Sequence, residues 1–213
     1  MSTQPSPRST AGQGATKRVE LCLDFANTLD WHASNHPQET LHAYEDFLGW
    51  VQARGVISQD QVDALARRAR REPQAAAAAH RRATALREAI YRIFVGRIAG
   101  TAPTTGDVGL LNEELQRALP HYRVEFGTDG PTWSLDAQVV DFDLPLWPIV
   151  QSAAELLLSE ALRDRVGQCA DPEGCGWLFL DLSKNRSRRW CSIQDCGNRA
   201  KQRRLHARLK QSG

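Results

Sequence analysis

Cys169, Cys175, Cys191 and Cys196 stand in the last quarter of the chain in the pattern C-x5-C-x15-C-x4-C. Two close pairs divided by a short spacer suit a tetrahedral ion, because each pair forms one knuckle and the spacer folds the knuckles together. The remaining cysteine, Cys22, lies in the apolar run VELCLDF and reads as a buried structural thiol. The opening MSTQPSPRSTAGQGATKR has no apolar core of a secretory signal. No segment approaches the roughly 18 apolar residues needed to span a bilayer, so no membrane partner is expected. A cytoplasmic, reducing location follows as an expectation, and there clustered thiols bind metal rather than pair as disulfides. Structural four-thiolate sites are most often zinc and no redox partner motif is visible, so one structural Zn2+ is expected on the four cysteines, with iron as the alternative.

Charge is segregated along the chain. From Lys184 to Gly213 ten Lys or Arg face a single acidic residue, Asp195, a net of +9 in a chain of +2, which leaves −7 for residues 1–183. An acidic body with a basic end points to a polyanionic partner at that end.

The sequence predicts a disordered leader over 1–17, an α+β domain over 18–166 and a zinc module with a basic C-terminal helix over 167–213. Val19–Phe25 reads as a first strand, with Leu21, Leu23 and Phe25 alternating onto one face. Helices are expected near 40–54, stopped by Gly55, and from Ser58 to about Arg70, where Ser58 and Gln61 form a capping box. Further helices are expected over Gln74–Ala99, 107–119 and 148–166. Tyr122, Val124 and Phe126, then Trp133, Leu135 and Ala137, alternate about TDGP and predict a β-hairpin.

In the zinc module, Gln168–Ala170 and Trp177–Leu182 read as short strands flanking a knuckle, and a helix begins at or just after Cys196. Knuckle, hairpin and helix sharing one ion make a treble-clef-like arrangement. Arg199, Arg203 and Lys210 lie near one line of that helix, and Lys201, Arg204 and Arg208 near another. Leu205 and Leu209 leave only a narrow apolar strip. With Lys184, Asn185, Arg186, Arg188 and Arg189 in the preceding loop, and Asn198 at the helix start, these are the candidate nucleic-acid contacts. Arginine reaches phosphates in bidentate fashion, and asparagine suits a base edge.

The run WCSIQDCGNRAK (190–201), preceded by FLDLSKNRSRR, resembles the signature of the CGNR zinc finger family. The N-terminal LCLDFANTLD is similar to the start of the ABATE domain, which accompanies this finger in bacterial proteins described as stress-induced transcription regulators. The resemblance implies zinc on the four cysteines, a DNA-binding finger and a regulatory N-terminal domain, hence a non-enzymatic protein. Two departures stand out. The first cysteine pair encloses five residues where four are expected, so Gly174 looks like an insertion that widens the knuckle, and Ile193 stands in place of Met.

Other readings stay open from the residues. The basic end would equally suit RNA or a ribosome-associated role. An enzyme would need a site in the N-terminal domain. Asp24, Asn27, Asp30, His32 and His36 are the residues that would tempt that reading, but turn, cap and loop roles account for them. A second copy of the chain in a homodimer and a small-molecule effector are further candidate partners.

Overall fold

A computed structural model of the chain describes residues 19–211 except 129, 137 and 138. The leader expected over 1–17, and Ala137 of the predicted hairpin, lie outside the described residues. Residues 19–26 form α1. They are followed by β1 (Leu29–Asp30), β2 (Gln38–Glu39), α2 (Tyr44–Ala53), α3 (Gln59–Arg71), α4 (Pro73–Ile98) and α5 (Thr105–Ala118). Then come β3 (Tyr122–Gly127), β4 (Gly130–Leu135), α6 (Trp147–Leu158), β5 (Val166–Gln168), β6 (Leu178–Leu180) and α7 (Asn198–Gln211). The strands pair as three antiparallel two-stranded sheets, β1–β2, β3–β4 and β5–β6. The architecture is helix-rich α+β.

The first strand expected over Val19–Phe25 is a helix instead. Alternation picked out Leu21, Leu23 and Phe25, but Cys22, Leu23, Phe25 and Ala26 are the buried residues. Val19, Cys22, Leu23 and Ala26 follow i, i+3, i+4, i+7 spacing, which puts one stripe of α1 into the core. Cys22 is fully buried, and burial pushes its thiol up to about 12, so it is a packing residue.

The other helices start and stop for local reasons. Ser58 Oγ accepts the Gln61 N–H at 3.3 Å while Gln61 Oε1 accepts the Ser58 N–H at 3.0 Å, closing the capping box of α3. Gly55, at φ +61°, takes the left-handed turn that ends α2. Thr104 caps α5 through the Asp107 N–H at 3.1 Å, and Arg92 of α4 clasps the Asp107 carboxylate at 2.5 Å. The helix expected over 148–166 ends at Leu158, because the chain must become extended for Val166 to pair with Leu180.

One apolar core runs through both halves of the chain. Phe25, Phe47, Leu65, Leu86, Phe94, Leu146, Ile149 and Leu156 are fully buried at its centre. Val166, Leu178 and Leu180 of β5–β6 belong to the same cluster. Asn27, just after α1, makes the join specific: its Nδ2 donates to Leu178 O at 2.9 Å and its Oδ1 accepts the Leu178 N–H at 2.8 Å. The side chain thereby satisfies both backbone groups of a strand residue that would otherwise be buried without partners. The described residues include no helix long and apolar enough to cross a membrane.

Candidate metal centre

The β5–β6 hairpin and the turn before α7 bring Cys169, Cys175, Cys191 and Cys196 together, with all four Sγ atoms within 4.8 Å of one another. The Cys175–Cys191 separation is 3.7 Å and Cys191–Cys196 is 3.5 Å. These distances are far beyond the roughly 2.05 Å of a disulfide. They match the edge of about 3.8 Å that a tetrahedron of sulfurs around zinc requires, given Zn–S of about 2.3 Å.

Electrostatics favours a cation at the centre. Hydrogen bonds from Cys175 and Cys191 hold the Cys169 thiol well below the ordinary range, whereas proximity to Cys169 pushes Cys175 and Cys191 up. Burial first, and then Cys169 and Cys175, raise Cys196 to about 12 against a lowering hydrogen bond from Cys191. A single thiolate suits this cluster, but four repel one another unless an ion neutralises them. Trp31, Trp177 and Trp190 pack around the sulfurs.

Cys196 lies in a turn over Ile193–Gly197 that leads directly into α7, with Ser192 Oγ accepting the Asp195 N–H at 3.2 Å. Asn198 Nδ2 donates back to Gln194 O at 2.8 Å. Arg199 donates to Cys196 Sγ at 2.8 Å and to Asp171 Oδ2 at 3.3 Å, and its guanidinium lies 4.9 Å over the Trp31 ring. Arg203 reaches Asp171 Oδ1 at 2.7 Å and Glu173 at 3.0 Å. Burial alone would raise Asp171, but the Glu173 N–H, Cys196, Arg203 and Arg199 together hold its carboxyl below the usual range. Arg188 stacks on Phe179 at 4.4 Å, donates to Trp190 O at 3.0 Å, and also bonds Cys191 O. These three arginines therefore spend their donors on the finger itself.

The other candidate contacts face outward. Lys184, Asn185, Arg186, Arg189, Lys201, Arg204 and Arg208 are exposed. Arg189 and Arg204 line one groove together with Trp190 and Ala207. Leu205 and Leu209 are 56% and 63% exposed, so α7 beyond Arg203 projects from the body rather than packing into it.

Several residues that build the site were not singled out for it by the sequence. Asp171 is the anchor of α7, and its place inside the knuckle, beside Pro172, was the one available signal. Trp31 holds φ +55°, uncommon for a non-glycine residue. The His32 backbone N–H donates to Cys175 O at 3.1 Å, while its ring stacks on Tyr91 with centroids 3.4 Å apart and pairs with Glu88 at 2.9 Å. Tyr91 OH in turn reaches Gly176 O at 3.2 Å. Asp24 sits 3.6 Å from Arg54 and His36 is exposed, so the acidic and histidine residues near the N-terminus do not converge.

Comparison with protein families adds two matches. Residues 20–160 match the ABATE model, described as "putative stress-induced transcription regulator", and residues 165–209 match the CGNR zinc finger. The chain belongs to the ABATE family. No curated protein matches it. Its CGNR motif is Cys196-Gly197-Asn198-Arg199, in which the cysteine supplies a sulfur, the asparagine closes the turn and the arginine ties the sulfur to Asp171.

Gly174 of the knuckle has a structural role here. At φ +90°, a Cβ on it would lie 2.6 Å from Ser34 Cα, because Gly174 O accepts the Ala33 N–H at 3.1 Å. Gly174→Ala is expected to push the Trp31–Ser34 segment off the knuckle and to cost about 2 kcal/mol or more, from the backbone conformation and the clash together. A shift in the denaturation midpoint checks this.

Proposed function

We propose that this protein is a DNA-binding transcription regulator whose CGNR finger, from about residue 167 onward, holds one structural zinc on Cys169, Cys175, Cys191 and Cys196. In this reading the ABATE portion, from about residue 18 to 166, senses a signal or dimerises, and carries no catalytic site. The observation that supports it most is the projecting cationic helix α7, whose base is fixed to the sulfur cluster through Arg199, Arg203 and the buried Asp171 carboxylate.

The engaged arginines divide the labour. Arg188, Arg199 and Arg203 orient the finger, while Lys184, Arg186, Arg189, Lys201, Arg204 and Arg208 supply positive charge for phosphates. Asn185 and Asn198 stand at the edges of that surface. Apolar projecting residues such as Leu205 would then meet the groove wall or a thymine methyl.

The test is binding of the zinc-loaded chain to duplex DNA across a salt series. If five or six phosphates are neutralised, log K should fall against log salt with a slope magnitude of roughly 4–6. Lys201→Ala and Arg208→Ala should each flatten the slope by about one. A flat dependence, or preference for structured RNA over duplex DNA in direct competition, overturns the proposal.

A further inference from the structure

The β3–β4 hairpin carries features that α7 and the metal centre do not use. One face of it is wholly apolar: Tyr122, Val124 and Phe126 on β3 lie beside Leu135, Trp133 and Pro131 on β4. Val124 is 54% exposed and Phe126 84%. An isolated two-stranded hairpin is marginal in water, and an exposed apolar face on it marks an interaction surface.

We propose that β3 pairs with β3 of a second copy of the chain, antiparallel about a two-fold axis at Val124, to make a four-stranded sheet. Backbone parity sets this register. The Asp136 N–H donates to His121 O at 3.0 Å, so the hairpin's internal bonds fall on His121, Arg123 and Glu125. The N–H and C=O groups of Tyr122, Val124 and Phe126 then point away from β4, as antiparallel pairing requires of alternate residues. With Val124 on the axis, these outward groups meet one another.

The side chains are complementary in the same register. On the polar face, Arg123 comes opposite Glu125 of the second copy, and Glu125 opposite its Arg123. On the apolar face, Val124 meets Val124, and Tyr122 meets Phe126 of the second copy, an aromatic cross-strand pair. Arg123 is accessible for this, since its side chain is 78% exposed and its own Asp136 is 4.0 Å away. The other edge is blunted, because Pro131 stands where β4 would need an outward N–H. Each Phe126 is also carried toward the second copy's Tyr122, at the groove of about 330 Å³ that Leu21, Val56, Tyr122, Trp133 and Pro148 line. An isologous pairing of this kind closes at two copies.

Sedimentation of the full-length zinc-loaded chain from about 1 to 100 µM should reveal a reversible dimer. Val124→Asp sets two carboxylates face to face on the axis, and Arg123→Glu sets like charges opposite in both cross-strand pairs. Each should weaken the dimer about tenfold or more, with zinc content and helicity unchanged because both positions are exposed. Adding Glu125→Arg to Arg123→Glu should restore association. A wild-type monomer throughout the series, a dimer indifferent to Val124→Asp, or a double variant without rescue overturns the proposal. None of these outcomes depends on DNA binding.

Discussion

Stripping the metal from the full chain, or replacing Cys196 by Ser, is expected to melt the finger and to lower the stability of the ABATE helices with it. Apparent binding energies of about 10–16 kcal/mol in zinc-finger peptides are also folding energies. The sulfur end of the finger has little core of its own, since around the cysteines only Trp31, Trp177 and Trp190 pack. Without the ion at least some of the four thiols must take protons, because proximity to Cys169 raises Cys175 and Cys191 and burial raises Cys196. Serine at 196 would also take away the sulfur to which Arg199 donates.

The effect should not stop at the finger. Leu178 and Leu180 are 2% and 3% exposed and sit in the core shared with α1 and α4. Exposing two such leucines forfeits about 3–6 kcal/mol, and Asn27 and Tyr91 lose their backbone partners as well. Calorimetry should therefore show one transition for the zinc form and a lower midpoint for the helical transition after chelation. Elemental analysis should return one zinc per chain. A metal-free wild-type chain, or helices that melt at an unchanged temperature after chelation, would refute this coupling.

That coupling was the part of the fold hardest to read in the sequence. Spacing alone located the four sulfurs, because a tetrahedral ion constrains short loops in ways that leave a pattern in the chain. The helices α2 to α5 were legible from periodicity and caps such as Ser58 and Gly55. Residues 19–26 mislead because six apolar residues broken only by Glu20 and Asp24 satisfy both a two-residue and a 3.6-residue period over so short a span. Docking of the finger on the body left no pattern, since Asn27 and Leu178 are 151 positions apart. An asparagine after an apolar run looks like an ordinary turn residue until its partner is seen. Likewise, charge counting treats every arginine of α7 alike, while only the fold separates Arg199 and Arg203 from Lys201 and Arg208.

Replacing Asp171 by Ala should weaken DNA binding even though it removes a negative charge beside the cationic helix. Asp171 is 5% exposed, and its carboxylate holds Arg199 and Arg203 on two different oxygens. Breaking a buried pair costs about 3–5 kcal/mol, and the partial exposure of both arginines places the expected loss nearer 3. Two opposing effects can then be compared. One added positive charge steepens the salt dependence by at most about one phosphate, a gain of roughly tenfold at low salt. Loss of the anchor leaves a helix of 14 residues held at its base by Cys196, Gln194 and the exposed Glu173, and isolated helices of that length are marginal in water. The partner would then have to order it, at about 1–2 kcal/mol per residue fixed. Ordering even three residues outweighs the charge, so affinity should fall at all salt concentrations while the slope rises slightly. Circular dichroism of the Asp171→Ala chain should show helix loss matching α7 and zinc retained. Tighter binding by this variant would mean that α7 acts as a mere cluster of charges, without a fixed orientation.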